Sequence, residues 1–520
     1  MILTLAGPGA GKTTDMINVI NQKMSQLQSN RIMAIITYTN ASVEDIKIKL
    51  ARTMVLPPNV FVGTIHSFLL NFFIEPYANY LGYSAENITI VEKLSDVGVD
   101  WVDDWVKSKF VSLSKKQQEI KKKVIIQGRR NKVFEAAAHK GIYTYDSIIK
   151  FTRELINDPL VMKSVSNKIQ FLFVDEYQDI SNYGHQVIMQ LEKMKSTEIC
   201  VVGDPDQSIY KFRYGESQIG ERAPLRANSP INQLMKMDES KCQIRKLLVN
   251  HRSSKEIVDF INEYSTLDNQ TAEKGSICPV HFISSTVPEE IVEKLWKINQ
   301  EFGCLKDCMI IAKLNRSLEQ FSEALNKKAA IEENEIAVDT KALADYIVTL
   351  SGLKYRAFLE EYSMTPFELK RLVIAIKRLI IAGKVNNENF EEYLKKVSKI
   401  ILGYEIEIRN STYVDDKKKI QEYGFETNIS DRDASKYNGV RCMTIHKSKG
   451  LEAECVLLVA ATKNQFFKWI EMSQQDMANE TDEDYRLGYV AFSRPKKVLV
   501  LACLEKIDEE ELDSNIFKIV

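Results

Sequence analysis

The chain has 520 residues, of which 44% are hydrophobic and 27% are charged. This composition is typical of a globular protein and excludes a disordered or fibrous chain. The length exceeds the roughly 250–300 residues at which a single hydrophobic core stops growing, so we expect more than one domain. Lysine and arginine (70) balance aspartate and glutamate (71), and this net charge neither favours nor excludes a nucleic-acid partner.

The sequence shows no secretory signal and no apolar run of about 18 residues, which argues against a membrane protein. Its eight cysteines lack the paired spacing of a metal site, and Cys304 and Cys308 are the closest pair. Such cysteines are typical of buried or free thiols in a reducing compartment. We therefore expect a cytoplasmic protein with no membrane partner.

A glycine-rich segment near the start of the chain predicts a phosphate-binding loop. Ile2–Leu5 has strand character, and apolar residues recur at helical spacing from Met16 to Leu27. A glycine-rich turn between a strand and a helix directs backbone N–H groups and the helix N-terminus at an anion. Lys12 is expected to reach the β- and γ-phosphates, and the Thr13 hydroxyl to ligate Mg²⁺. The predicted nucleotide-binding residues are Ala6, Gly7, Pro8, Gly9, Ala10, Gly11, Lys12, Thr13 and Thr14.

Further along the chain, short apolar runs alternate with helical sequence, as in a parallel α/β fold. The runs in the first half are Ala34–Ile36, Val60–Val62, Phe171–Val174 and Ile199–Val202. Residues 70–141 are helical and polar instead, with a lysine- and arginine-rich cluster from Lys115 to Lys132. This cluster could line a nucleic-acid path, and a solvated helix face is an equal alternative.

A second series of α/β elements begins near Ile244. Its candidate strands are Val280–Ile283, Cys308–Ala312, Cys442–Thr444, Cys455–Val459 and Val498–Ala502. Charge-rich helical sequence interrupts the series. No sequence repeat is apparent. We predict two α/β cores, each with a mainly helical insertion: the first core from 1–69 and 142–243 with its insertion at 70–141, and the second from 244–331 and 439–520 with its insertion at 332–438.

Asp175 and Glu176 follow an apolar strand and supply what hydrolysis of a nucleotide requires. Asp175 is expected to hold the Mg²⁺ that bridges the phosphates, and Glu176 to orient and deprotonate the attacking water. An acidic pair at a strand end is common in isolation. Downstream of a phosphate-binding loop, this pair indicates a nucleoside triphosphatase.

Eight segments resemble, in the same order, the motifs of the superfamily 1 DNA helicases of the UvrD/Rep/PcrA group. They are Ala6–Thr14, Thr37–Ala41, Gly63–Phe68, Asp175–Asp179, Val202–Arg213, Asn250–Ser253, Thr444–Glu452 and Arg486–Arg494. The resemblance implies two RecA-like cores with ATP and Mg²⁺ in the cleft between them. A metabolic P-loop kinase would leave the segments around Gln207 and from Thr444 to Glu452 unexplained.

The resemblance also implies roles for residues outside the phosphate-binding loop. Gln207 would sense the γ-phosphate, and Arg252 and Arg494 from the second core would act as arginine fingers. Glu452 would contact the ribose, and His251 stands where the family commonly has an adenine-stacking tyrosine. Single-stranded DNA would cross both cores, although core packing remains an alternative for each aromatic residue. The implied DNA contacts are Tyr38, Asn40, His66, Ser67, Phe68, Phe212, Arg213, Tyr214, Thr444 and Lys449.

Two departures from the family pattern modify these expectations. The family's glutamine-containing segment before the phosphate-binding loop has no counterpart in this sequence. Together with His251, this predicts weaker discrimination between nucleotide bases. The insertion at 332–438 is short beside the family's mobile subdomain, which puts processive unwinding in doubt, though not translocation.

The sequence therefore predicts an ATP-dependent 3′→5′ DNA helicase or translocase that acts on single-stranded or 3′-tailed DNA. The alternative is a nucleic-acid-sensing ATPase that does not unwind processively and regulates a partner nuclease in antiviral defence. The compact build is similar to the helicase-like subunit of Gabija-type anti-phage systems. The two hypotheses differ in whether the isolated chain separates a tailed duplex.

Overall fold

The structure is a computed structural model that describes most of the chain in two compact units. One unit comprises Met1–Ala324 with Gly439–Val520, and the other Leu325–Asn438. The described residues are 1–86, 88–91, 130–209, 229–325, 340–353, 355–381, 385, 389–409, 440–477 and 483–520.

The first half of the larger unit is built round a parallel sheet. The strands described up to residue 247 are β1 (Ile2–Ala6), β2 (Ile32–Thr37), β3 (Val60–Thr64), β4 (Thr89–Val91), β5 (Ile142–Thr144), β6 (Ile169–Val174), β7 (Glu198–Gly203) and β8 (Gln243–Leu247). The helices of the same part are α1 (Lys12–Met24), α2 (Asn40–Ala51), α3 (Ile65–Leu69), α4 (Glu75–Tyr77), α5 (Arg130–Ala138), α6 (Tyr145–Leu155), α7 (Pro159–Lys168), α8 (Asn182–Met194) and α9 (Pro230–Met235).

Six of these strands form one sheet in the order β3-β2-β6-β7-β1-β8, with every neighbouring pair parallel. Both faces of the sheet are covered, because Leu172 and Val174 of β6 lie in one hydrophobic cluster and Phe171 and Phe173 in another. Burial on both faces explains the unbroken apolar runs of the sequence. The carboxyl ends of the strands consequently meet at one edge, where such sheets bind ligands.

The later part of the chain adds further strands and helices. The strands are β9 (Val249–Asn250), β10 (Thr271–Ala272), β11 (Val280–Ile283), β12 (Cys308–Ala312), β13 (Val440–Thr444), β14 (Ala453–Ala460), β15 (Pro495–Cys503) and β16 (Phe517–Ile519). The helices are α10 (Lys255–Asn262), α11 (Pro288–Glu301), α12 (Asn315–Ala324), α13 (Thr340–Leu350), α14 (Tyr355–Glu361), α15 (Pro366–Ile381), α16 (Phe390–Leu402), α17 (Ile445–Ser448), α18 (Lys463–Ile470), α19 (Gln474–Met477) and α20 (Asp484–Phe492).

The second sheet has the order β13-β12-β14-β15-β11-β16, again with all pairs parallel. If the six strands of each sheet are ranked by their position in the chain, both orders become third, second, fourth, fifth, first, sixth. The two cores therefore share one topology although no repeat is visible in the sequence. The prediction of an α/β fold with two parallel-sheet cores is confirmed.

The predicted boundary between the cores is wrong by a few residues. It was placed before residue 244, but Ile244–Leu247 belong to β8, which pairs with β1 of the first sheet. Strand β8 is mostly exposed at the sheet edge, so it lacks the buried apolar run that marks the central strands. Of the first predicted insertion, residues 92–129 with most of the basic cluster lie outside the described residues.

The smaller unit, within which the predicted insertion 332–438 falls, is helical in its described part. Helices α13 to α16 enclose a core that includes Tyr346, Phe358, Leu372 and Leu394. None of the described helices of the chain is long and apolar enough to cross a membrane. All eight cysteines are buried free thiols, as the sequence predicted.

Two histidines, the buried His185 and the half-buried His66, should make the stability of the fold depend on pH. The Nδ1 atom of His185 on α8 lies 2.7 Å from the Tyr177 hydroxyl, and the two groups share a hydrogen bond. Burial lowers the pKa of His185 to about 4, and that of His66 likewise to about 4. An unfolded histidine has a pKa near 6.5, so the unfolded chain binds more protons between these values.

We therefore expect stability to be complete above about pH 6.5 and to fall as the pH is lowered towards 4. For His185 the loss between pH 7.5 and pH 5 is about 2 kcal/mol. Chemical unfolding of His185→Gln and of the wild type at both pH values measures this difference. The pH-dependent part should shrink in the variant, even though its stability at pH 7.5 falls. An equal pH dependence in both proteins would contradict the assignment.

Candidate nucleotide and nucleic-acid sites

The phosphate-binding loop follows β1 and turns sharply into α1. Gly9 (φ 72°) and Gly11 (φ 74°) adopt the left-handed conformation that side chains disfavour. A Cβ atom at Gly9 would also lie 2.5 Å from Asn250 Oδ1. Lys12 Nζ donates to the carbonyl oxygens of Ala6 and Gly7, each at 3.2 Å. The ammonium group therefore rests on loop carbonyls, which are weaker acceptors than a charged phosphate.

Thr13 and Asp175 provide a donor set that fits Mg²⁺. Thr13 Oγ1 donates to Asp175 Oδ2 at 3.2 Å, and neighbouring ligands of octahedral Mg²⁺ lie about 3 Å apart. Burial, and after it the charge of Glu176, raises the pKa of Asp175. A nearby cation would offset this cost of ionising Asp175. The two side chains thus have the chemistry and spacing to hold the metal with the phosphates of a nucleotide.

Glu176 is held in an uncommon backbone conformation beside the loop. Its φ of 51° lies in the left-handed region, which a residue other than glycine adopts at a cost of order 1 kcal/mol. Gln178 Nε2 donates to its carboxylate. Burial alone would raise the pKa of Glu176, but the charges of Lys449, Lys12 and Arg494 and the Gln178 hydrogen bond together hold it below its ordinary value. The group is ionised, as a general base must be.

The turn after β7 connects this carboxylate with the second core. Gln178 Oε1 accepts from the Asp204 backbone N–H at 3.0 Å, and Gln207 Nε2 donates to Asp204 Oδ2 at 2.6 Å. Gln207 Oε1 then accepts from Arg494 Nη2 at 3.1 Å. An unbroken series of hydrogen bonds therefore runs from Glu176 through Gln178, Asp204 and Gln207 to an arginine of the second core.

The two predicted arginine fingers lie together next to this turn. Arg494 is 2% exposed and also donates to the Val490 carbonyl at 2.8 Å. Burial, and after it the neighbouring charge of Arg252, lowers the pKa of Arg494 to about 9, so it stays protonated at neutral pH. Arg252 Nε donates to Glu452 Oε2 at 2.7 Å, and its Nη1 donates to the Ser493 carbonyl at 3.0 Å.

His251 and Glu452 lie on either side of Arg252 in the predicted nucleotide cleft. The His251 backbone N–H donates to the Gly9 carbonyl at 2.9 Å, and its ring Nδ1 lies 3.0 Å from Glu273 Oε2. Glu452 is held by Arg252 and, at 3.0 Å, by Lys496. The structure thus places His251 against the phosphate-binding loop and Glu452 against Arg252, although both residues lie hundreds of positions after the loop in the chain.

Lys449, for which the resemblance implies support of phosphate or nucleic-acid contacts at the interface between the cores, lies inside that interface and contacts protein groups. Its ammonium group donates to Asp179 Oδ2 and to the Gln207 carbonyl, both at 2.6 Å. The side chains of Lys449 and Asp179 are 6% and 1% exposed. The sequence shows that Lys449 lies in the motif Thr444–Glu452 but does not show which groups it contacts. Its actual partners depend on how the two cores dock, which local sequence does not specify.

Most of the remaining predicted DNA contacts lie at the carboxyl ends of three strands. Tyr38 and Asn40 follow β2, His66 and Ser67 follow β3, and Thr444 ends β13. Thr64 and Thr444 play equivalent parts in the two cores, because each side chain caps the short helix after its strand by accepting a backbone N–H. Phe212, Arg213 and Tyr214 lie outside the described residues.

Phe68 does not lie on this surface. It is fully buried and packs against Phe61, Phe72 and Phe73, so we remove it from the DNA contacts. Phe68 therefore has the alternative role that the sequence left open for each aromatic residue, packing in the core. His66, by contrast, is half-buried and packs edge-on against the exposed ring of Tyr145 at 5.0 Å. Because the pKa of His66 is lowered to about 4 by burial, its ring is neutral at pH 7.

Sequence reasoning missed residues that join the two cores. Buried Asp206 accepts from the Thr266 N–H at 2.7 Å and from the Ser265 hydroxyl at 3.2 Å, both in the loop after α10. Asn250 Nδ2 donates to the Pro8 carbonyl at 2.9 Å. Asp206 and Asn250 lie inside recognised motifs, and this was the one feature of the sequence that could have marked them as functional. Pro8 lies in a recognised motif too, whereas Ser265 and Thr266, the partners of Asp206, lie in none.

Comparison with known proteins agrees with this geometry. The model of the UvrD/REP helicase N-terminal domain matches residues 1–141 and 106–224, and that of the UvrD-like helicase C-terminal domain matches residues 368–506. A probable DNA helicase II homolog of Mycoplasma pneumoniae is 22% identical over 606 residues, covering 98% of this chain and 82% of the relative.

Two further relatives belong to the same group. The ATP-dependent DNA helicase PcrA of Staphylococcus epidermidis is 22% identical, covering 96% of this chain and 81% of the relative. The ATP-dependent DNA helicase Rep of Buchnera aphidicola is 27% identical over 50% of this chain and 42% of the relative. The family resemblance inferred from the motifs is confirmed: the chain belongs to the UvrD/Rep helicase family, and it is an ATP-hydrolysing DNA helicase by that membership.

Proposed function

We propose that this protein is a motor that moves 3′→5′ along single-stranded DNA and separates 3′-tailed duplexes, using ATP and Mg²⁺ bound between its two cores. The hydrogen bond between Gln207 of the first core and Arg494 of the second carries this proposal. It joins the carboxylate that would activate water to the arginine that would stabilise transferred phosphate, so that neither core alone is a complete site.

Each core contributes part of the reaction in this mechanism. Mg·ATP supplies the γ-phosphate that is transferred to water. Thr13 and Asp175 would hold the metal, Lys12 would move from the loop carbonyls to the phosphates, and Glu176 would take the proton of the attacking water. Arg494 and Arg252 neutralise charge that develops on the phosphate, and Gln207 orients Arg494. His251 and Glu452 flank the nucleotide.

The proposed DNA path crosses the same edge of both sheets. Tyr38, Asn40, His66 and Ser67 would contact one stretch of the strand, and Thr444 the equivalent position on the second core. A neutral His66 contributes stacking or a hydrogen bond to a base or sugar, and no charge for a phosphate. Phe212, Arg213 and Tyr214 remain proposed contacts from the resemblance alone. Movement follows if hydrolysis alters the distance between the two contact sites.

An ATPase and unwinding experiment on one preparation tests the proposal. We expect single-stranded DNA to stimulate turnover, and a duplex with a 3′ tail to be separated while a 5′-tailed duplex and a blunt duplex are not. Glu176→Gln should bind ATP and fail to turn it over. Separation of the 5′-tailed duplex would contradict the polarity, and turnover that ignores DNA would contradict the motor.

The same experiment addresses the alternative of a partner-regulating ATPase in antiviral defence. Neither the described contacts nor the relatives named above support a nuclease partner. DNA-stimulated turnover with no separation of any duplex would favour this alternative over the proposed helicase. A strict preference for ATP over GTP would count against the weaker base discrimination expected from His251.

Arg494→Ala should lower ATP turnover by about a thousandfold or more, because an arginine finger acts chiefly in the transition state. The dissociation constant for ATP should change much less. Arg494→Lys should recover little, since lysine keeps the charge and loses the planar contact with Gln207. Arg316→Ala, at an exposed arginine on the same core, is the matched control. Equal turnover in Arg494→Ala and wild type would remove Arg494 from the site.

Lys449→Gln separates the interface role seen in the structure from the DNA contact predicted by the sequence. The change removes the ammonium group that pairs with the buried Asp179 carboxylate, which costs about 3–5 kcal/mol in the docked state. We therefore expect lower turnover. The salt dependence of nucleotide-free binding to single-stranded DNA should stay unchanged, whereas loss of a phosphate contact would reduce its logarithmic slope by about 0.7. A reduced slope would restore Lys449 to the DNA surface.

A further inference from the structure

Gln270 is a buried amide next to the phosphate-binding loop that no motif includes. It precedes β10, which pairs with β9, and this short ribbon carries Asn250 against the loop. The backbone of Gln270 is fixed on both sides by Asn262, whose side chain accepts from the Gln270 N–H and donates to its carbonyl, each at 2.9 Å. The side chain is thus held at a set position, 8% exposed.

The amide group of Gln270 lies face-on against Gly7. A Cβ atom at Gly7 would lie 2.9 Å from Cδ, 3.0 Å from Oε1 and 3.1 Å from Nε2 of Gln270. Oε1 accepts from Asn250 Nδ2 at 3.3 Å, and the same Nδ2 donates to the Pro8 carbonyl. Among the described residues, the buried Nε2 has no hydrogen-bond partner.

A buried donor without a partner is costly, so its retention next to a functional loop indicates a use in another state. The neighbouring acceptors change when a nucleotide binds. The Gly7 carbonyl now accepts from Lys12 at 3.2 Å, with only a long contact of 3.4 Å from the Ala10 N–H besides. Once Lys12 turns towards phosphate, this carbonyl loses its strong donor, and the amide of Gln270 lies against the same residue, Gly7.

We propose that Gln270 is a positioning residue for nucleotide binding, whose Nε2 donates to the Gly7 carbonyl after Lys12 has left it for the phosphates. Gln270 rather than Lys12 then donates the hydrogen bond to this loop carbonyl, and the loop keeps its conformation round the anion. The inference rests on the proposed function only in requiring that a nucleotide binds at this loop. It makes Gln270 a determinant of nucleotide affinity, contributed by a residue outside the recognised motifs.

The proposal predicts opposite effects on the free and the nucleotide-bound protein. Gln270→Met keeps the length of the side chain and removes both polar atoms. In the bound state the Gly7 carbonyl then lacks a donor, and we expect ADP and a non-hydrolysable ATP analogue to bind about tenfold more weakly. In the free state the variant removes an unpaired donor and one long hydrogen bond from Asn250 Nδ2, which keeps its shorter bond to the Pro8 carbonyl, so the melting temperature should not fall. A purely structural role predicts that it falls.

The experiment uses the full chain and compares wild type, Gln270→Met, Gln270→Glu and Thr271→Val. Gln270→Glu retains an acceptor for Asn250 and has no donor when ionised, so it is a second donor-free variant and should also bind more weakly. Thr271 is the exposed next residue of the ribbon, and its variant should match wild type. Binding of fluorescently labelled ADP and of the ATP analogue, and the melting temperature with and without ADP, are the measurements.

Turnover adds a readout that packing alone would not move. The KM for ATP should rise about tenfold in Gln270→Met while kcat at saturation stays within about twofold. Equal nucleotide affinity in Gln270→Met and wild type would overturn the inference and leave the proposed function intact. Wild-type protein that binds neither ADP nor the analogue would overturn both. A lowered melting temperature of nucleotide-free Gln270→Met, with unchanged nucleotide stabilisation, would make the residue structural only.

Discussion

The hydrogen bond from Arg494 to Gln207 is the constraint on which the rest of the arrangement depends. Gln207 reaches Arg494 only because Asp204 fixes its amide and because Lys449 holds its carbonyl from the second core. Asp204 is in turn aligned by Gln178, which also contacts Glu176. The Glu176 carboxylate is therefore linked to the docked second core through three side chains of the first.

The electrostatics of the cleft have the same origin. Arg494 and Lys449 lie in the second core, and their charges are among those that hold the pKa of Glu176 low against the effect of burial. Keeping Arg494 charged also costs free energy, since burial and the charge of Arg252 lower its pKa to about 9. Like charges are thus packed where the transferred phosphate would lie. Such clustering is expected of a site built to stabilise an anion that is present only during the reaction.

The sequence predicted what local pattern determines and missed what docking determines. The phosphate-binding loop, Asp175 and Glu176 follow apolar strands directly, so their positions could be derived from a few neighbouring residues. The burial of Phe68 and the ion pair of Lys449 with Asp179 depend on contacts between segments remote in the chain. Strand β8 was assigned to the wrong core because it is a mostly exposed edge strand with no apolar run. Gln270 lacked any signal, because its environment consists of Gly7, Asn250 and Asn262 from separate segments.

These misses share a physical cause that bears on how such a motor works. Residues whose partners lie on the other core, such as Lys449, Asp206 and Arg494, are the ones whose environment changes when the cores separate. Their hydrogen bonds and ion pairs are made only in the docked state, so each contributes to the free-energy difference between docked and open forms. A ligand shifts that difference only by binding one form more tightly. A nucleotide that contacts Lys12 on one core and Arg494 on the other, as proposed, would bind the docked form more tightly, because the open form would offer it only half of these contacts.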